Sequence, residues 1–384
     1  MTLAPLQVER VALDDAAGRV LAAGIDADDD YPNAPRSAMD GFAIAAGSTP
    51  GDFAIAGDVA MGAAWKGTLL AGQAAAIPTG GVVPAGADAV VPIEDVRVDG
   101  DRLHVGISVA AGENVNPRAG DMRRGERILE AGQRLAGPQI GVLATVGVVE
   151  VPVYRRPSIA MISSGDELVP PVALPRPGQI RDSNRYAVAA SLRMMGVDVR
   201  HYPTVSDEAG ALEAALRSAL GDCDAIVLSG GSSVGERDRT PDAIASLGTP
   251  GVLVHGLKVK PGKPTVLAAA GGKPVIGLPG NPTSAIMILE AVVAPIIGAM
   301  TGAELRRGAF TARLGSAIRS RPGWTWYVPV SVQNDGGTPV AHPLPLRSSS
   351  VSLPARAGGY VVADDPGGEL PEGTLVTVYR FLGR

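Results

Sequence analysis

The sequence predicts a multidomain protein that joins an open α/β domain to several β-rich regions. Its 384 residues are too many for one ordinary hydrophobic core and are typical of two to four domains. Its 50 glycines and 32 prolines exceed a fifth of the chain without any low-complexity tract, so we expect them to separate many short elements. From about residue 157 strands and helices alternate, which favours an open, mostly parallel, three-layer α/β sheet.

The N-terminal part of the chain predicts two domains, one inserted into the other. Residues 27–125 carry short alternating runs such as "DFAIAGDV" and "GADAVVPIEDVRV", which indicate a β-rich inserted domain. Residues 1–26 form a short extended and helical lead-in, and residues 126–152 a helical patch followed by a strand. We expect these two segments to pair as a small discontinuous linking domain.

Residues 153–305 are predicted to form the α/β domain. The helix in "SNRYAVAASLRMMG" has Ser183 or Asn184 as its N-cap and Gly196 as its stop. "SDEAGALEAALRSAL" is expected to be a second capped helix, and "SIAMIS", "DAIVL", "TVLAA" and "VIGL" are expected strands. Residues 306–384 return to a β pattern and are predicted to form a small C-terminal β-barrel.

Composition excludes several classes of function. The net charge is −5 and no basic block is present, so we expect no nucleic-acid partner. The single cysteine, Cys223, excludes an intrachain disulfide. The most apolar run, residues 283–300, contains Glu290 and Pro295 and falls short of the ~20 residues of a membrane span, so a buried helix is expected. The N-terminus lacks the pattern of a signal peptide, and we expect a cytoplasmic protein without a membrane partner.

The stretch "LSGGSSVGERDRT", residues 228–240, follows a predicted strand and has the composition of an anion-binding loop. Its glycines let the backbone approach a ligand, and successive N–H groups can surround an anion. Glu236 follows Gly235 where a phosphate-binding Walker loop has lysine. The loop alone is equally compatible with an ordinary turn from strand to helix.

Three other loops also fall where predicted strands end, and together the four predict one shared anion site. "SSGDEL" spans residues 163–168, "KVKPGKP" 258–264 and "GLPGNPTSA" 277–285. Ligands of open α/β sheets bind beyond the carboxyl ends of the strands. Taken singly, a lysine-rich turn is usually solvated surface. The last loop runs into a helix whose first N–H groups are expected to be free for an anion, with Asn281, Thr283 or Ser284 as its cap. Taken singly, a Ser or Thr before a helix is usually only a cap.

Carboxylates beside an anion site indicate a divalent cation such as Mg²⁺, which carboxylate and phosphate oxygens share. The candidates in the α/β domain are Asp166, Glu167, Asp207 and Asp238. Alternatively, Asp207 lies in the first turn of its helix, where the dipole favours it, and Asp238 pairs with Arg237 or Arg239. In the β-rich domain Asp40, Thr79 and Asp121 lie in glycine-rich or arginine-rich loops that are equally compatible with plain turns.

Six motifs in order resemble the MoeA family of molybdopterin molybdenumtransferases, which is related to the E domain of gephyrin and to the plant Cnx proteins. They are "SAMDGFA", "PTGGVVPAGADAVV", "SSGDEL", "SGGSSVGERD", "KPGKP" and "GLPGNPTSA". The resemblance runs from about residue 10 to the C-terminus. It implies that adenylated molybdopterin and molybdate are substrates, that Mg²⁺ is required, and that molybdenum cofactor, AMP and water are products. It also implies an elongated four-domain homodimer, with the site between the molybdopterin-binding α/β domain of one subunit and the β-rich domain of the other.

The resemblance also implies roles for individual residues. The expected catalytic residues are Asp40, Thr79, Asp121, Glu167, Asp207 and Asp238, and the expected Mg²⁺ ligands are Asp166, Glu167 and Asp238. The expected substrate-binding residues are Ser229, Gly230, Gly231, Ser232, Gly235, Lys260, Lys263, Pro279, Gly280, Asn281, Pro282, Ser284 and Arg356.

The sequence departs from the family pattern at several positions. The first helix of the family is absent. Arg36 replaces the usual Asn or His, Ser164 the usual Thr, and Ser232 the usual Val. Arg237 and Arg239 flank Asp238.

Two alternative functions remain open. One is molybdopterin adenylyltransferase, the enzyme that prepares the substrate. If this chain is the transferase, that adenylyltransferase is an expected partner. The other is a non-enzymatic cofactor carrier or scaffold on the same fold.

Overall fold

The structure is a computed structural model that describes residues 3–208, 210–230, 240–305, 307–364 and 367–382. Part of the predicted glycine loop therefore lies outside the described residues. The predicted site residues to which this applies are Gly231, Ser232, Gly235 and Asp238, together with the flanking Arg237 and Arg239.

Within the described residues, the N-terminal 154 positions form a six-stranded sheet, several two-stranded pairs and one α-helix. The six strands follow the order β7-β4-β6-β5-β9-β8. The elements are β1 Val8–Ala12, β2 Ile25–Asp26, β3 Arg36–Ser37, β4 Gly41–Ile44, β5 Gly51–Asp58, β6 Gln73–Ile77, β7 Ala89–Pro92, β8 Val96–Asp99, β9 Arg102–Val105, β10 Val115–Asn116, β11 Arg127–Leu129, α1 Gly137–Thr145 and β12 Glu150–Tyr154, with 3-10 turns at Leu13–Asp15, Ala46–Ser48 and Ile93–Asp95.

The two segments that flank the β-rich region pack together. β1 pairs antiparallel with β12 and β2 with β11, and Leu21 and Leu143 share one buried core. The helical patch expected from residue 126 begins later than predicted, because β11 comes first and Pro138 lies in the first turn of α1. The Ala136 N–H donates to the Gln139 side chain at 3.1 Å, which closes that helix end. The exact domain boundaries stay a prediction.

The α/β region contains a six-stranded sheet, counted over its described residues, in the order β16-β13-β17-β21-β20-β18. The first four strands are parallel, and β20 runs antiparallel to both of its neighbours. The elements are β13 Ser158–Ser163, β14 Leu168–Val169, β15 Ile180–Arg181, α2 Asn184–Met194, β16 Asp198–His201, α3 Ala211–Asp222, β17 Ala225–Ser229, α4 Thr240–Ala245, β18 Pro250–His255, β19 Val259–Lys260, β20 Val266–Ala270, β21 Lys273–Leu278, α5 Pro282–Ile288 and α6 Ala294–Thr301, with a π-helical turn Leu289–Val293 between the last two.

Helices cover both faces of this sheet, which confirms the predicted three-layer architecture. Val188 of α2 and Ile288 of α5 belong to the core on one face, and Leu216 of α3 and Ile244 of α4 to the core on the other. All four side chains are fully buried. Packing of apolar helix faces against a sheet of apolar strands is what stabilises this arrangement.

One helix start differs from the prediction, and another agrees with it. α3 begins at Ala211 rather than near Ser206, because Gly210 takes a left-handed conformation (φ +83°) and ends the preceding loop. Asp207 therefore lies outside the helix, and its alternative interpretation as a first-turn residue is wrong. Ser183 is the N-cap residue of α2, as one of the two predicted candidates, but its side chain makes no capping hydrogen bond. Asp182 instead accepts the Arg185 N–H at 3.0 Å. Gly196 (φ +88°) follows the end of α2, as predicted.

The helical segment Pro282–Thr301 is 20 residues long, two more than predicted. By length and composition it could cross a membrane, but 61% of its apolar window is buried inside the protein. Ile288, Val293 and Ile297 belong to the core of the α/β region. The segment is therefore a core helix, as the sequence predicted.

The C-terminal region is a closed barrel of five strands, which confirms the predicted barrel. β24, β25, β22, β28 and β26 close because β26 also pairs with β24. A strand of the α/β region, β19, adds to the barrel alongside β24. The elements are β22 Ala309–Leu314, β23 Ile318–Arg319, β24 Thr325–Asp335, β25 Thr338–Pro343, α7 Ser352–Arg356, β26 Gly359–Ala363, β27 Glu369–Leu370 and β28 Leu375–Tyr379.

Candidate functional site

The described parts of the four predicted loops lie at one edge of the α/β sheet. β13, β17 and β21 are parallel and end in register at Ser163, Ser229 and Leu278. The lysine-rich loop reaches the same edge, because it connects the end of β18 to the start of β20, where His255 pairs with Val266 and Val266 with Gly277. The sheet topology therefore brings together loops that are more than 100 residues apart in sequence.

Glycine allows two of these loops to touch. The Ser164 N–H donates to the Ser229 carbonyl at 3.0 Å, and Gly230 follows with φ +107°. A Cβ at Gly230 would lie 2.1 Å from the Ser164 carbonyl oxygen, so no other residue fits there without a shift of the backbone. The first described residues of the predicted glycine loop are thus held against the "SSGDEL" loop.

Asn184 joins the glycine loop to the helix-entry loop, and the sequence analysis did not predict this role. Its side-chain amide donates to the Ser229 Oγ at 2.9 Å and to the Gly280 carbonyl at 2.8 Å. The side chain is buried and lies in the first turn of α2. A polar residue in the first turn is read as a cap from sequence, and only the fold shows its two distant partners.

Asp166 and Asp207, two of the predicted acidic residues, are in contact at the same edge. Asp166 Oδ1 accepts the Asp207 N–H at 3.2 Å, and the Gly165 N–H donates to the Val205 carbonyl at 3.1 Å. Both carboxylates are exposed, and the Glu167 carboxylate folds back over Gly165. A cavity of about 310 Å³ opens beside them; its lining includes Ser164, Asp207, Glu208, Glu213, Thr240 and Asp242.

These carboxylates fit Mg²⁺ only as a partial ligand set. Among the residues that the structure describes, no group of three or more His, Cys, Asp or Glu side chains could hold a metal ion. Mg²⁺ in proteins usually keeps several waters and binds through one or two carboxylates together with substrate phosphates. Asp166 and Asp207 therefore suit an ion that is completed by the substrate.

The lysine-rich turn is packed between helix and barrel. Gly262 has φ +113°, and a Cβ there would lie 2.4 Å from the Ile288 side chain of α5. Lys260 and Lys263 are exposed, and the Lys260 ammonium lies 4.0 Å from the centre of the Trp326 ring. The backbone of the turn is thus fixed in place, whereas its two lysine residues are exposed.

The barrel covers the start of helix α5, which corrects one expectation. The Thr283 N–H donates to the Ser348 carbonyl at 3.1 Å and the Thr283 Oγ1 to the Ser350 carbonyl at 2.6 Å. Neither Asn281 nor Thr283 caps the helix by its side chain, and the N–H of Thr283 is not free for an anion. Pro279 and Ser284 are buried, Pro282 is half-buried, and Arg356 is exposed at the end of α7, which packs on α5.

In the β-rich region Asp40 and Thr79 form a pair. Asp40 Oδ1 accepts the Thr79 N–H at 2.6 Å and the Thr79 hydroxyl at 2.9 Å, and these two bonds lower the pKa of the Asp40 carboxyl. The Arg36 guanidinium donates to the neighbouring Gly80 carbonyl at 2.9 Å. Arg36, a departure from the family pattern, therefore supports the same loop.

Asp121 does not join this pair. Its backbone N–H donates to the Tyr31 carbonyl at 3.0 Å, and its exposed carboxylate makes no hydrogen bond or ion pair within the described ranges. Nor does any hydrogen bond or ion pair between described residues connect Asp40 or Thr79 to the loops at the sheet edge.

Three family models cover most of the chain. Residues 1–147 match the MoeA N-terminal region (domain I and II), residues 160–299 the probable molybdopterin binding domain, and residues 311–381 the MoeA C-terminal region (domain IV). The three models follow one another in the same order as the three six-stranded sheets of the described structure.

Individual relatives and solved structures agree with these models. The chain is 35% identical to a molybdopterin molybdenumtransferase of Nostoc sp. over 77% of this chain and 70% of that protein. It is 32% identical to a molybdopterin molybdenumtransferase of Bacillus subtilis over 94% of this chain and 86% of that protein. It is 30% identical to molybdopterin molybdenumtransferase 2 of Mycobacterium tuberculosis over 96% of this chain and 94% of that protein. Two structures of MoeA proteins from Pyrococcus horikoshii superpose with TM-scores of 0.82 and 0.86, at 32% and 25% identity. They cover 100% and 99% of this chain, and each is itself covered to 96%. The chain belongs to the MoeA family of molybdopterin molybdenumtransferases.

Proposed function

We propose that this protein inserts molybdate into adenylated molybdopterin, with release of molybdenum cofactor, AMP and water. The observation that carries the proposal is that the described parts of four loops converge at one sheet edge. There, backbone glycines, two lysines and two carboxylates lie where a substrate with several phosphates and an oxyanion would bind. Membership of a transferase family supports the same reaction.

The described residues divide into three binding functions. Ser229, Gly230 and Gly280 offer a backbone surface for the phosphate-bearing pterin, because the two glycines let a ligand approach closely. Lys260 and Lys263 supply positive charge for molybdate oxygens. Arg356, at the end of α7, is proposed to reach the same oxyanion.

We assign Mg²⁺ to the acidic side of this edge, where Asp166 and Asp207 are in contact through the backbone. When bound, the ion would offset negative charge on the substrate's pyrophosphate as AMP departs. Mn²⁺ can replace Mg²⁺ as a probe, and its binding can be followed by electron paramagnetic resonance without any turnover. We expect Asp166→Asn and Asp207→Asn each to weaken Mn²⁺ binding, whereas Asp222→Asn, at the far end of α3, leaves it unchanged.

We further propose a cytoplasmic homodimer built from the four predicted domains, in which Asp40 and Thr79 of one subunit complete the site of the other. This arrangement accounts for a hydrogen-bonded pair that no described contact links to the sheet edge. Co-expression of Asp40→Asn and Lys263→Gln chains tests it. Mixed dimers would regain activity that neither variant has alone, and no recovery would place all these residues in one subunit's site.

The reaction itself is tested by mixing the purified protein with adenylated molybdopterin, molybdate and Mg²⁺ in the absence of ATP. The proposal predicts AMP release that depends on molybdate. An adenylyltransferase would instead require ATP and would form, rather than consume, the adenylated substrate. A carrier or scaffold would retain bound pterin without releasing AMP.

A further inference from the structure

Lys260 meets an aromatic ring of the neighbouring domain. Its ammonium lies 4.0 Å from the centre of the Trp326 ring. The contact follows from the backbone, because β19 pairs in parallel with β24 and Lys260 is the register partner of Trp326. The barrel thus contributes a side chain to the lysine-rich turn of the α/β region.

Trp326 has few alternative interactions. Its ring packs against the core of the barrel, and its indole Nε1 is buried without a hydrogen-bond partner among the described residues. A hydrogen bond of the indole nitrogen therefore does not explain why this position holds tryptophan. The contact that distinguishes its ring face is the one with the Lys260 ammonium.

The charge of Lys260 is not cancelled by this contact. Within the part of the chain that the structure describes, no carboxylate forms an ion pair with Lys260, and the nearby cationic residues of the turn are Lys258 and Lys263. A tryptophan face attracts a cation through its quadrupole but carries no net charge. The lysine is therefore held in one direction and keeps its positive charge for an anion.

We propose that Trp326 is a positioning residue that holds the Lys260 ammonium over its ring and so raises the affinity of the site for a tetrahedral oxyanion. The inference rests on the proposed function, since it assigns Lys260 to molybdate. A flexible four-carbon side chain must be ordered when it binds a ligand, and ordering it beforehand improves binding. The effect should appear in oxyanion affinity rather than in the rate of the chemical step.

A double-mutant cycle between the two residues tests the proposal. The variants are Trp326→Leu, Trp326→Phe, Lys260→Gln and the double variant Trp326→Leu/Lys260→Gln. Equilibrium dialysis with molybdate, followed by metal analysis, gives Kd for the oxyanion, and AMP release gives KM and kcat. We expect Trp326→Leu to raise Kd and the KM for molybdate about fivefold with little change in kcat, and Trp326→Phe to raise them about twofold.

The decisive result is the double variant, in which removal of the ring should have no further effect once the ammonium is gone. Trp324→Leu is the matched control, because its ring lies 5.1 Å from the Arg321 guanidinium rather than near the lysine-rich turn. An equal rise in Kd from Trp326→Leu with and without Lys260 would overturn the proposal and leave Trp326 a purely structural residue. An unchanged Kd in Trp326→Leu would overturn it as well.

The same measurements separate this inference from the proposed function. Coupled molybdate binding without AMP release would contradict the transferase proposal and support the role of Trp326. AMP release without coupling would do the reverse, and a wild-type protein that binds no molybdate would contradict both. If Trp326→Leu does not fold, as judged by thermal unfolding, the cycle is measured with Trp326→Phe, for which a Kd equal to that of the wild type overturns the proposal.

Discussion

Asp40 and Thr79, 39 residues apart in sequence, form a two-point contact in which one carboxylate oxygen accepts both the backbone N–H and the hydroxyl of the threonine. Hydrogen bonds to the ionised form of a carboxyl favour that form, which is why the pKa of Asp40 is lowered. The carboxylate is thus fixed in orientation and kept charged, although it is exposed to solvent.

Replacement of Thr79 by valine should raise the pKa of Asp40 toward its ordinary value, because the hydroxyl donor is lost while the N–H remains. The stability contributed by a lowered carboxyl pKa is present above the unfolded-state value of 3.8 and is lost as the pH falls through the folded-state pKa. Carbon-13 NMR titration of the Asp40 carboxyl measures its pKa in the wild type and in Thr79→Val. An unchanged midpoint in Thr79→Val, with Thr68→Val as the control, would contradict this account of the pair.

Gly230→Ala should destabilise the protein and impair substrate binding. The new methyl group would overlap the Ser164 carbonyl, and the left-handed backbone alone costs about 1 to 3 kcal/mol for other residues. Gly221→Ala is the control, since it lies in helix α3 with open space around it and should be neutral or stabilising by up to about 1 kcal/mol. Urea unfolding compares the two, and equal stabilities would show that the loops do not depend on this close approach.

Asn184→Asp should cost about 1 to 3 kcal/mol at neutral pH, because the new carboxylate cannot donate to Ser229 or to Gly280. The substitution keeps the shape of the side chain and so isolates the loss of the two donated bonds. Asn334→Asp, on an exposed part of β24, makes the same chemical change without such partners. Chemical denaturation of both variants checks this, and a similar small effect in each would remove the bridging role of Asn184.

Arg307→Met should destabilise the protein more at pH 8 than at pH 5. Burial raises the pKa of Glu290, and the Arg307 guanidinium, whose Nε donates to this carboxylate at 3.2 Å, opposes that rise. A raised carboxyl pKa favours folding below the unfolded-state value of 4.5, and this contribution is lost as the pH rises through the folded-state pKa. Without arginine the buried carboxylate keeps only the Leu382 N–H as a partner and has no opposite charge, which costs about 3 to 5 kcal/mol when it is ionised.

The matched variants for this pair are Glu290→Gln/Arg307→Met, which should recover stability at pH 8, and the exposed Arg313→Met, which should change it little. Urea unfolding of the wild type and the three variants is measured at both pH values. A deficit in Arg307→Met that does not depend on pH would show that Glu290 is not the group responsible.

The sequence carried enough information for the fold class and for the edge at which the loops meet. Apolar strands that alternate with amphipathic helices favour parallel pairing, and the carboxyl ends of parallel strands meet at one edge. The loops after Ser163, Ser229 and Leu278 could therefore be placed on one side. Local signals also marked Gly196 correctly as the end of a helix. They failed at Asp207, because Gly210 delays the helix that periodicity alone would start earlier.

Contacts between distant segments could not be predicted in this way. The partners of Asn184 lie 45 and 96 residues away, and the covering of Thr283 by Ser348 joins two domains. A side chain's hydrogen-bonding capacity is visible in the sequence, but its partner is decided by tertiary packing. The same holds for Lys260, whose ring partner comes from the barrel.

The ratio of AMP released to molybdenum incorporated, measured in a single turnover with adenylated molybdopterin, Mg²⁺ and increasing molybdate, tests the central claim most directly. The account predicts one AMP for each molybdenum bound to pterin, no AMP without molybdate, and no need for ATP. AMP release that is independent of molybdate, or molybdenum incorporation without AMP, would contradict it.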